Sequence, residues 1–126
     1  MHRIARDLRA LGDPGRLRVL HLLAVAGELC VCEIQELLAI SAPTASRALR
    51  FLEDTGWVER RREGRWAHYS LSDLPAERGE LRDALVSWLE GTPEGARNRE
   101  LVERMRAAGG LSCSPLPVAT GSEETK

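Results

Sequence analysis

The chain has 126 residues and a formal net charge of −1, with 43% hydrophobic and 29% charged residues, a balance typical of one folded domain and not of a disordered chain. No apolar run approaches the roughly 20 residues that a membrane-spanning helix needs, and the charged N-terminal segment lacks an apolar signal core, so we expect a cytoplasmic protein with no membrane partner. Because that compartment keeps thiols reduced, we expect its three cysteines to be ligands or reactive groups and not disulfides.

Two helices are predicted at the start of the chain, at 2–11 and from Pro14 to about residue 26. Asp13 suits the N-cap of the second helix, and Pro14 is favoured at a first helical position. Gly27 is expected to end this helix, because glycine favours chain reversals at helix C-termini.

A pair of helices joined by a short turn is predicted next. Residues 29–31 are expected to be extended and residues 32–39 to form a short helix. Ser41 is a good N-cap for the following helix, Pro43 is tolerated in its first turn, and Gly56 is expected to end it. This arrangement indicates a helix-turn-helix.

The second helix of this pair has two different faces. Its apolar face follows helical spacing and comprises Ala45, Ala48, Leu49 and Leu52. The opposite face carries the polar and cationic groups that recognition of the DNA major groove requires. We therefore expect DNA contacts from Ser41, Pro43, Thr44, Ser46, Arg47 and Arg50.

A basic β-hairpin is predicted after this helix, with strands at 57–62 and 66–71. A helix-turn-helix followed by such a hairpin predicts a winged helix-turn-helix fold, mainly α with a β-hairpin wing. The hairpin arginines could be a solvated edge that prevents aggregation, but beside a groove-facing helix we favour phosphate contact. The wing residues expected at DNA are Arg61, Arg62, Arg65 and His68, although His68 could instead pack inside.

The distribution of charge supports DNA as the partner. Residues 41–70 carry six Arg and four acidic residues, whereas residues 21–40 carry three Glu and neither Lys nor Arg. Of the 18 basic residues in the chain, 17 are Arg, whose forked guanidinium suits phosphate and guanine. Overall near-neutrality therefore does not exclude DNA binding.

The C-terminal third is predicted to hold two more helices, at 76–90 and 94–108. The apolar faces of the helices at 2–11 and 76–90 indicate a homodimer interface that would match a two-fold operator, although both could pack on their own core. We expect a winged domain at 1–91, an additional helix within 92–108, and a flexible tail at 109–126 that carries Cys113. An enzyme is not expected, because His2, His21 and His68 are scattered and no phosphate-binding glycine loop is evident.

Four stretches together resemble the ArsR/SmtB family: Leu11-Gly12-Asp13-Pro14, Glu28-Leu29-Cys30-Val31-Cys32-Glu33, Ser41-Ala42-Pro43-Thr44-Ala45-Ser46-Arg47 and Gly64-Arg65-Trp66-Ala67-His68-Tyr69-Ser70-Leu71. The resemblance covers roughly residues 4–90 and is nearest to the arsenic-responsive members, whose sensor motif is similar to the Cys30-Val31-Cys32 stretch. It implies a dimeric winged-helix repressor that leaves DNA when a metal or metalloid binds.

The chain departs from this family pattern at several ligand positions. Gln35 stands where one type of arsenic repressor has a third cysteine, and the helix 76–90 lacks the His of zinc-sensing relatives. Cadmium- and lead-sensing relatives add cysteines from an N-terminal arm that this chain does not carry. The remaining candidate for a third thiol is Cys113, from the same chain or from a dimer partner.

The thiols predict the kind of inducer, since trivalent arsenic and antimony are soft centres that prefer thiolates. Cys30 and Cys32 are expected to bind arsenite or antimonite, with Cys113 as a third ligand; no cofactor is expected to be needed for folding. Without a sensor role, these residues would be two buried core cysteines and a spare tail thiol. The same sequence features also suit a repressor of this fold that responds to cadmium, lead or thiol oxidation, or a winged-helix module that binds protein.

Helix geometry predicts how such a site would act. On a helix, residues i and i+2 are about 200° apart, whereas in an extended segment they share a face. One ion bound by both Cys30 and Cys32 therefore favours a non-helical segment 30–32, which would disturb the helix that supports the DNA-reading helix.

Overall fold

The computed structural model of the protein describes residues 1–111 and 113. Within them the elements follow in the order α1 His2–Leu11, α2 Pro14–Ala26, β1 Glu28–Cys30, α3 Val31–Leu38, α4 Ala42–Asp54, β2 Val58–Glu63, β3 Trp66–Leu71, α5 Ala76–Glu90 and α6 Pro93–Ala107. The predicted winged helix-turn-helix is confirmed, with several boundaries displaced by one residue. Of the predicted tail 109–126, Ser112 and residues 114–126 lie outside the described residues.

The predicted helix starts are confirmed by their caps. The Asp13 carboxylate accepts a hydrogen bond from the Arg16 amide at 2.9 Å, and the Ser41 hydroxyl accepts one from the Thr44 amide at 3.2 Å. Between α3 and α4 the chain reverses at Ala39, whose φ of 56° places this residue in the left-handed region. This short reversal brings α4 against α3.

The sheet joins the wing to the segment before α3. Its strand order is β1-β3-β2, and both pairings are antiparallel. His68, at the centre of β3, is opposite Cys30 on one side and opposite Arg61 on the other. The sequence predicted the hairpin and an extended segment 29–31, but not that β1 adds to the hairpin as a third strand.

The core surrounds α2, which contributes the fully buried Leu20, Leu22 and Leu23. Trp57, at the end of the helix-turn-helix, is also buried, and its indole Nε1 donates to the Asp7 carbonyl at 2.9 Å. This bond ties α1 to the base of the wing.

Helix α6 packs along α2 through a face that differs from the predicted one. Leu101 and Met105 are half-buried as expected, but Ala108 is exposed, and the fully buried positions include Asn98 and Val102. Asn98 marks this contact because its amide Nδ2 donates to the Arg18 carbonyl at 3.1 Å and lies 3.1 Å from His21 Nδ1. A polar residue therefore lies where an apolar pattern was expected.

Helices α1 and α5 leave apolar side chains on the surface. No residue of α5 is buried, and the indole of Trp88 is 75% exposed. Ile4 and Leu8 of α1 and Leu81 of α5 are also exposed, and they line a shallow cleft of about 260 Å³. Among the helices of the described residues, none has the length and apolarity that a membrane crossing requires.

Candidate functional site

Cys30 lies at the junction of β1 and α3, where it is the N-cap residue of α3. Its side chain is buried, with 1% exposed, and its sulfur faces the Glu33 backbone amide. In return the Glu33 carboxylate accepts a hydrogen bond from the Cys30 amide at 3.0 Å, which completes a capping box. Burial, together with the negative charge of Glu33, raises the pKa of the Cys30 thiol to about 11, so this thiol is protonated at neutral pH.

Cys32, the second residue of α3, and Cys113 lie beside one another. Both are half-buried, and the Cys32 thiol donates to the Cys113 carbonyl at 3.3 Å. The Cys113 thiol contacts the Cys32 thiol and the Glu36 carboxylate, and its burial together with these two contacts raises its pKa well above the ordinary range. The sequence could not say whether Cys113 reaches the other thiols; within one chain, it reaches Cys32.

The three thiols do not form a ready three-sulfur site. Across residues 1–111 and 113, no three His, Cys, Asp or Glu side chains converge as a group that could hold a metal ion. Cys30 caps the helix while Cys32 is its second residue, so a ligand shared by all three sulfurs requires the first turn of α3 to change. Their donor chemistry nevertheless suits a soft thiol-binding centre.

The environment of Cys30 connects both parts of the winged helix-turn-helix. Through α3, which packs on α4, it supports the predicted reading helix. Through its β1 pairing with His68 it borders the wing. The Arg61 guanidinium on β2 also binds the Glu28 carboxylate at the start of β1 through two hydrogen bonds, at 2.8 and 3.1 Å. A change at Cys30 can therefore reach the helix-turn-helix and the wing together.

The predicted DNA-reading face of α4 is open to solvent. Arg47 and Arg50 are exposed, and neither has a hydrogen-bond or ion-pair partner among the described residues. All predicted contact residues of this helix and its N-cap are exposed: Ser41, Pro43, Thr44, Ser46, Arg47 and Arg50. Ala45, Leu49 and Leu52 of the opposite face are buried, as their spacing predicts.

The predicted wing residues separate into three groups. Arg62 and Arg65 are exposed and have no ion-pair partner in the described part of the chain. Arg61 is exposed but bound to Glu28 and Glu63. His68 is buried, with Nε2 3.8 Å from a Glu63 carboxylate oxygen, so packing inside the fold accounts for this residue.

Two acidic residues near the thiols were not singled out from the sequence. Glu33 follows Cys30 by three residues, which is the capping-box spacing and could have indicated its role. Glu28 gave no such signal, because its partner Arg61 is 33 residues away in the chain.

Comparisons with known proteins support the geometry. Residues 13–60 match the family model described as bacterial regulatory protein, arsR family. The arsenic resistance transcriptional regulator ArsR1 of Pseudomonas putida is 38% identical over 101 residues, which cover 76% of this chain and 77% of ArsR1. The cadmium resistance transcriptional regulatory protein CadC homolog of Staphylococcus aureus is 39% identical over 70 residues, covering 56% of this chain and 58% of that protein.

A solved structure supports the same fold. The homodimeric winged helix-turn-helix DNA-binding domain Mb0332 of Mycobacterium bovis has a TM-score of 0.60 and 32% sequence identity to this chain. The match covers 71% of this chain and 82% of that domain.

Proposed function

This chain belongs to the ArsR family of bacterial regulatory proteins, which are DNA-binding transcriptional repressors and not enzymes, and we propose that its inducer is trivalent arsenic or antimony bound by cysteine thiols. The observation that carries the proposal is the position of Cys30 and Cys32 across the start of α3, the helix on which α4 packs. A donor set of thiols selects soft centres over the hard cations that carboxylates prefer.

The proposed action starts from the cap of α3. To bind the same ion as Cys32, the Cys30 sulfur has to leave the Glu33 amide, and the first turn of α3 opens. Loss of a serine, threonine, asparagine or aspartate cap costs about 0.5–2 kcal/mol of helix stability, and we expect the thiol cap of Cys30 to lie in the lower part of this range because sulfur is a weaker acceptor. That free energy is of the order of the coupling, about 1–3 kcal/mol, that changes DNA affinity by about 5–150-fold. Opening the first turn of α3 can therefore supply part of this coupling, because α4 packs on α3.

For DNA, we propose that the exposed face of α4 enters the major groove and that the wing contacts the backbone. Four arginines have no ion-pair partner among the described residues and can therefore offer their guanidinium groups to DNA: Arg47 and Arg50 on α4, and Arg62 and Arg65 on the wing. Arg61 can contact DNA only when a phosphate replaces its carboxylate partners Glu28 and Glu63.

For assembly, we propose a homodimer through α1 and α5. A monomer that exposes Trp88, Ile4 and Leu81 on two adjacent helices leaves apolar surface in water, and a two-fold partner would cover it. The similar Mb0332 domain, which is homodimeric, supports assembly as a homodimer. Such a dimer presents two α4 helices to the two half-sites of an operator.

Cadmium is the second candidate inducer, favoured by the 39% identity to the Staphylococcus relative named for cadmium resistance. Cadmium is also soft and thiol-binding, so the class of donor does not separate the two ions. Separate titration of each ion against the same complex of protein and DNA distinguishes them.

The test is release of the purified, reduced protein from fluorescently labelled DNA taken from upstream of its own gene, followed by anisotropy. Arsenite, antimonite, cadmium, lead and hydrogen peroxide are titrated separately. We expect specific DNA binding, with release at the lowest concentrations by arsenite and antimonite. Release by cadmium or lead at lower concentrations would replace the proposed inducer, and the absence of any specific DNA binding would contradict the repressor function.

A further inference from the structure

We propose that Cys32 and Cys113 of one chain form the pair of thiols that first captures a trivalent arsenical, and that Cys30 joins only in a second step, which releases DNA. This inference rests on the proposed function and deepens it. The first step then uses two thiols of the same chain. An arsenical with one carbon substituent has only two exchangeable positions on arsenic, so these two thiols can fill both.

The exposure of the three thiols sets their order of access. Cys32 and Cys113 are in contact and only half-buried, so this pair is more accessible to a ligand arriving from solvent than Cys30 is. Cys30 is only 1% exposed and lies at the end of β1, with its sulfur directed at the Glu33 amide. An arsenical arriving from solvent is therefore expected to meet Cys32 and Cys113 first, and not the two cysteines of the Cys30-Val31-Cys32 motif.

The backbone gives a second reason for this order. Capture by Cys32 and Cys113 leaves the cap of α3 in place, because Cys32 is already the second helical residue and Cys113 approaches from outside the helix. Capture by Cys30 and Cys32 requires the start of α3 to open before the sulfurs of these two residues can bind the same ligand.

The reaction balances without an oxidant. An arsenical of the form R–As(OH)₂ exchanges two As–O bonds for two As–S bonds, each thiol proton leaves with a hydroxide as water, and arsenic stays trivalent. The carbon substituent R does not exchange, so Cys30 stays on its cap. Arsenite retains a third hydroxide after capture, and exchange of this group with the Cys30 thiol forms the third As–S bond and opens the turn.

Phenylarsine oxide, which hydrates to the form with one carbon substituent, is the probe for capture. Its affinity for the full-length protein is measured by competition with a small dithiol, for wild type, Cys30→Ser and Cys113→Ser. We expect Cys30→Ser to bind it within about threefold of wild type. We expect Cys113→Ser to lose on the order of a hundredfold in affinity, because the second As–S bond is no longer made within one chain.

Cys30→Ser and Cys113→Ser make the same chemical change at two positions, so each is the matched control for the other. We expect Cys30→Ser to keep the fold because serine is a preferred N-cap residue. Wild-type affinity in Cys113→Ser together with loss in Cys30→Ser would overturn the capture pair. The DNA-release assay distinguishes failure of the capture pair from failure of the proposed repressor function. If Cys32 and Cys113 capture the arsenical but arsenite does not release DNA, the repressor mechanism is contradicted and the capture pair still stands. Organoarsenical binding that releases DNA as fully as arsenite at equal occupancy would overturn the second step.

Discussion

Arg61 on the wing strand β2 binds Glu28 at the start of β1 through two parallel hydrogen bonds, from Nη2 to Oε1 at 2.8 Å and from Nε to Oε2 at 3.1 Å. The hydrogen bond from Arg61 holds the pKa of the Glu28 carboxyl below its usual range, so the pair is ionised near neutral pH. The same strand β1 ends at Cys30. Strand β1 thus contacts the wing through Glu28 at its start and holds the thiol of Cys30 at its end, and these two residues are two positions apart.

Replacing Glu28 with Gln should strengthen operator binding, because Arg61 then keeps only its exposed ion pair with Glu63, which a DNA phosphate can displace. We expect the salt dependence of binding to become steeper by about one phosphate contact per subunit. Anisotropy titrations at several salt concentrations measure this change. Glu103→Gln, which removes an equal charge from the exposed surface of α6, is the control; an equal gain in both variants would mean that net charge alone explains the result.

Replacing Arg47 with Ala should weaken operator binding by about 1–3 kcal/mol if it reads a base, while leaving the dimer intact. Arg50→Ala should weaken binding as well, with Arg47 the more sensitive position. Arg97→Ala on the exposed surface of α6 is the matched control and should bind normally. Wild-type affinity in both α4 variants would place the reading face elsewhere.

Replacing Trp88 with Glu should dissociate the dimer, because the exposed indole on α5 would lie in the proposed apolar interface. Sedimentation measurements over a range of concentrations would show a monomer, and operator affinity would fall with it. The control is Ala96→Glu, which adds the same charge at an exposed position of α6. An unaltered dimer in Trp88→Glu would exclude α5 from the interface.

Replacing Gly95 with Ala should destabilise the protein, since a Cβ there would overlap the Leu89 backbone carbonyl where α6 turns back from α5. We expect a loss of about 1–3 kcal/mol in the free energy of unfolding, as is usual for overpacking. Gly91→Ala is the matched control, because its Cβ would make only an ordinary contact with the Trp88 carbonyl at 3.6 Å. Urea unfolding measures both, and equal stability in the two variants would contradict this close packing.

Local sequence signals predicted the helices and the reading face well. Asp13 and Ser41 are caps in the structure, and the spacing of Ala45, Leu49 and Leu52 identified the buried face of α4. Such signals act within a few residues, so they can be recognised without knowing the rest of the fold.

Contacts between distant residues were not predictable in this way. The pairing of Cys30 with His68, the approach of Cys113 to Cys32, and the buried Asn98 all join residues 38 or more positions apart. Each contact depends on how whole helices and strands pack. The hydrogen-bond partners of a buried polar residue such as Asn98 lie far away in the chain, so the residues next to it in the sequence do not predict them. The same limit explains why His68 could be assigned either to the wing surface or to the interior.

The central claim is that thiols at the start of α3 control DNA binding. Its most direct test is arsenite-dependent release of operator DNA by the Cys30→Ser, Cys32→Ser double variant, measured beside the wild type. We predict that the variant binds the operator as the wild type does and stays bound when arsenite is added. Release of DNA from the double variant at the wild-type arsenite concentration would contradict the claim.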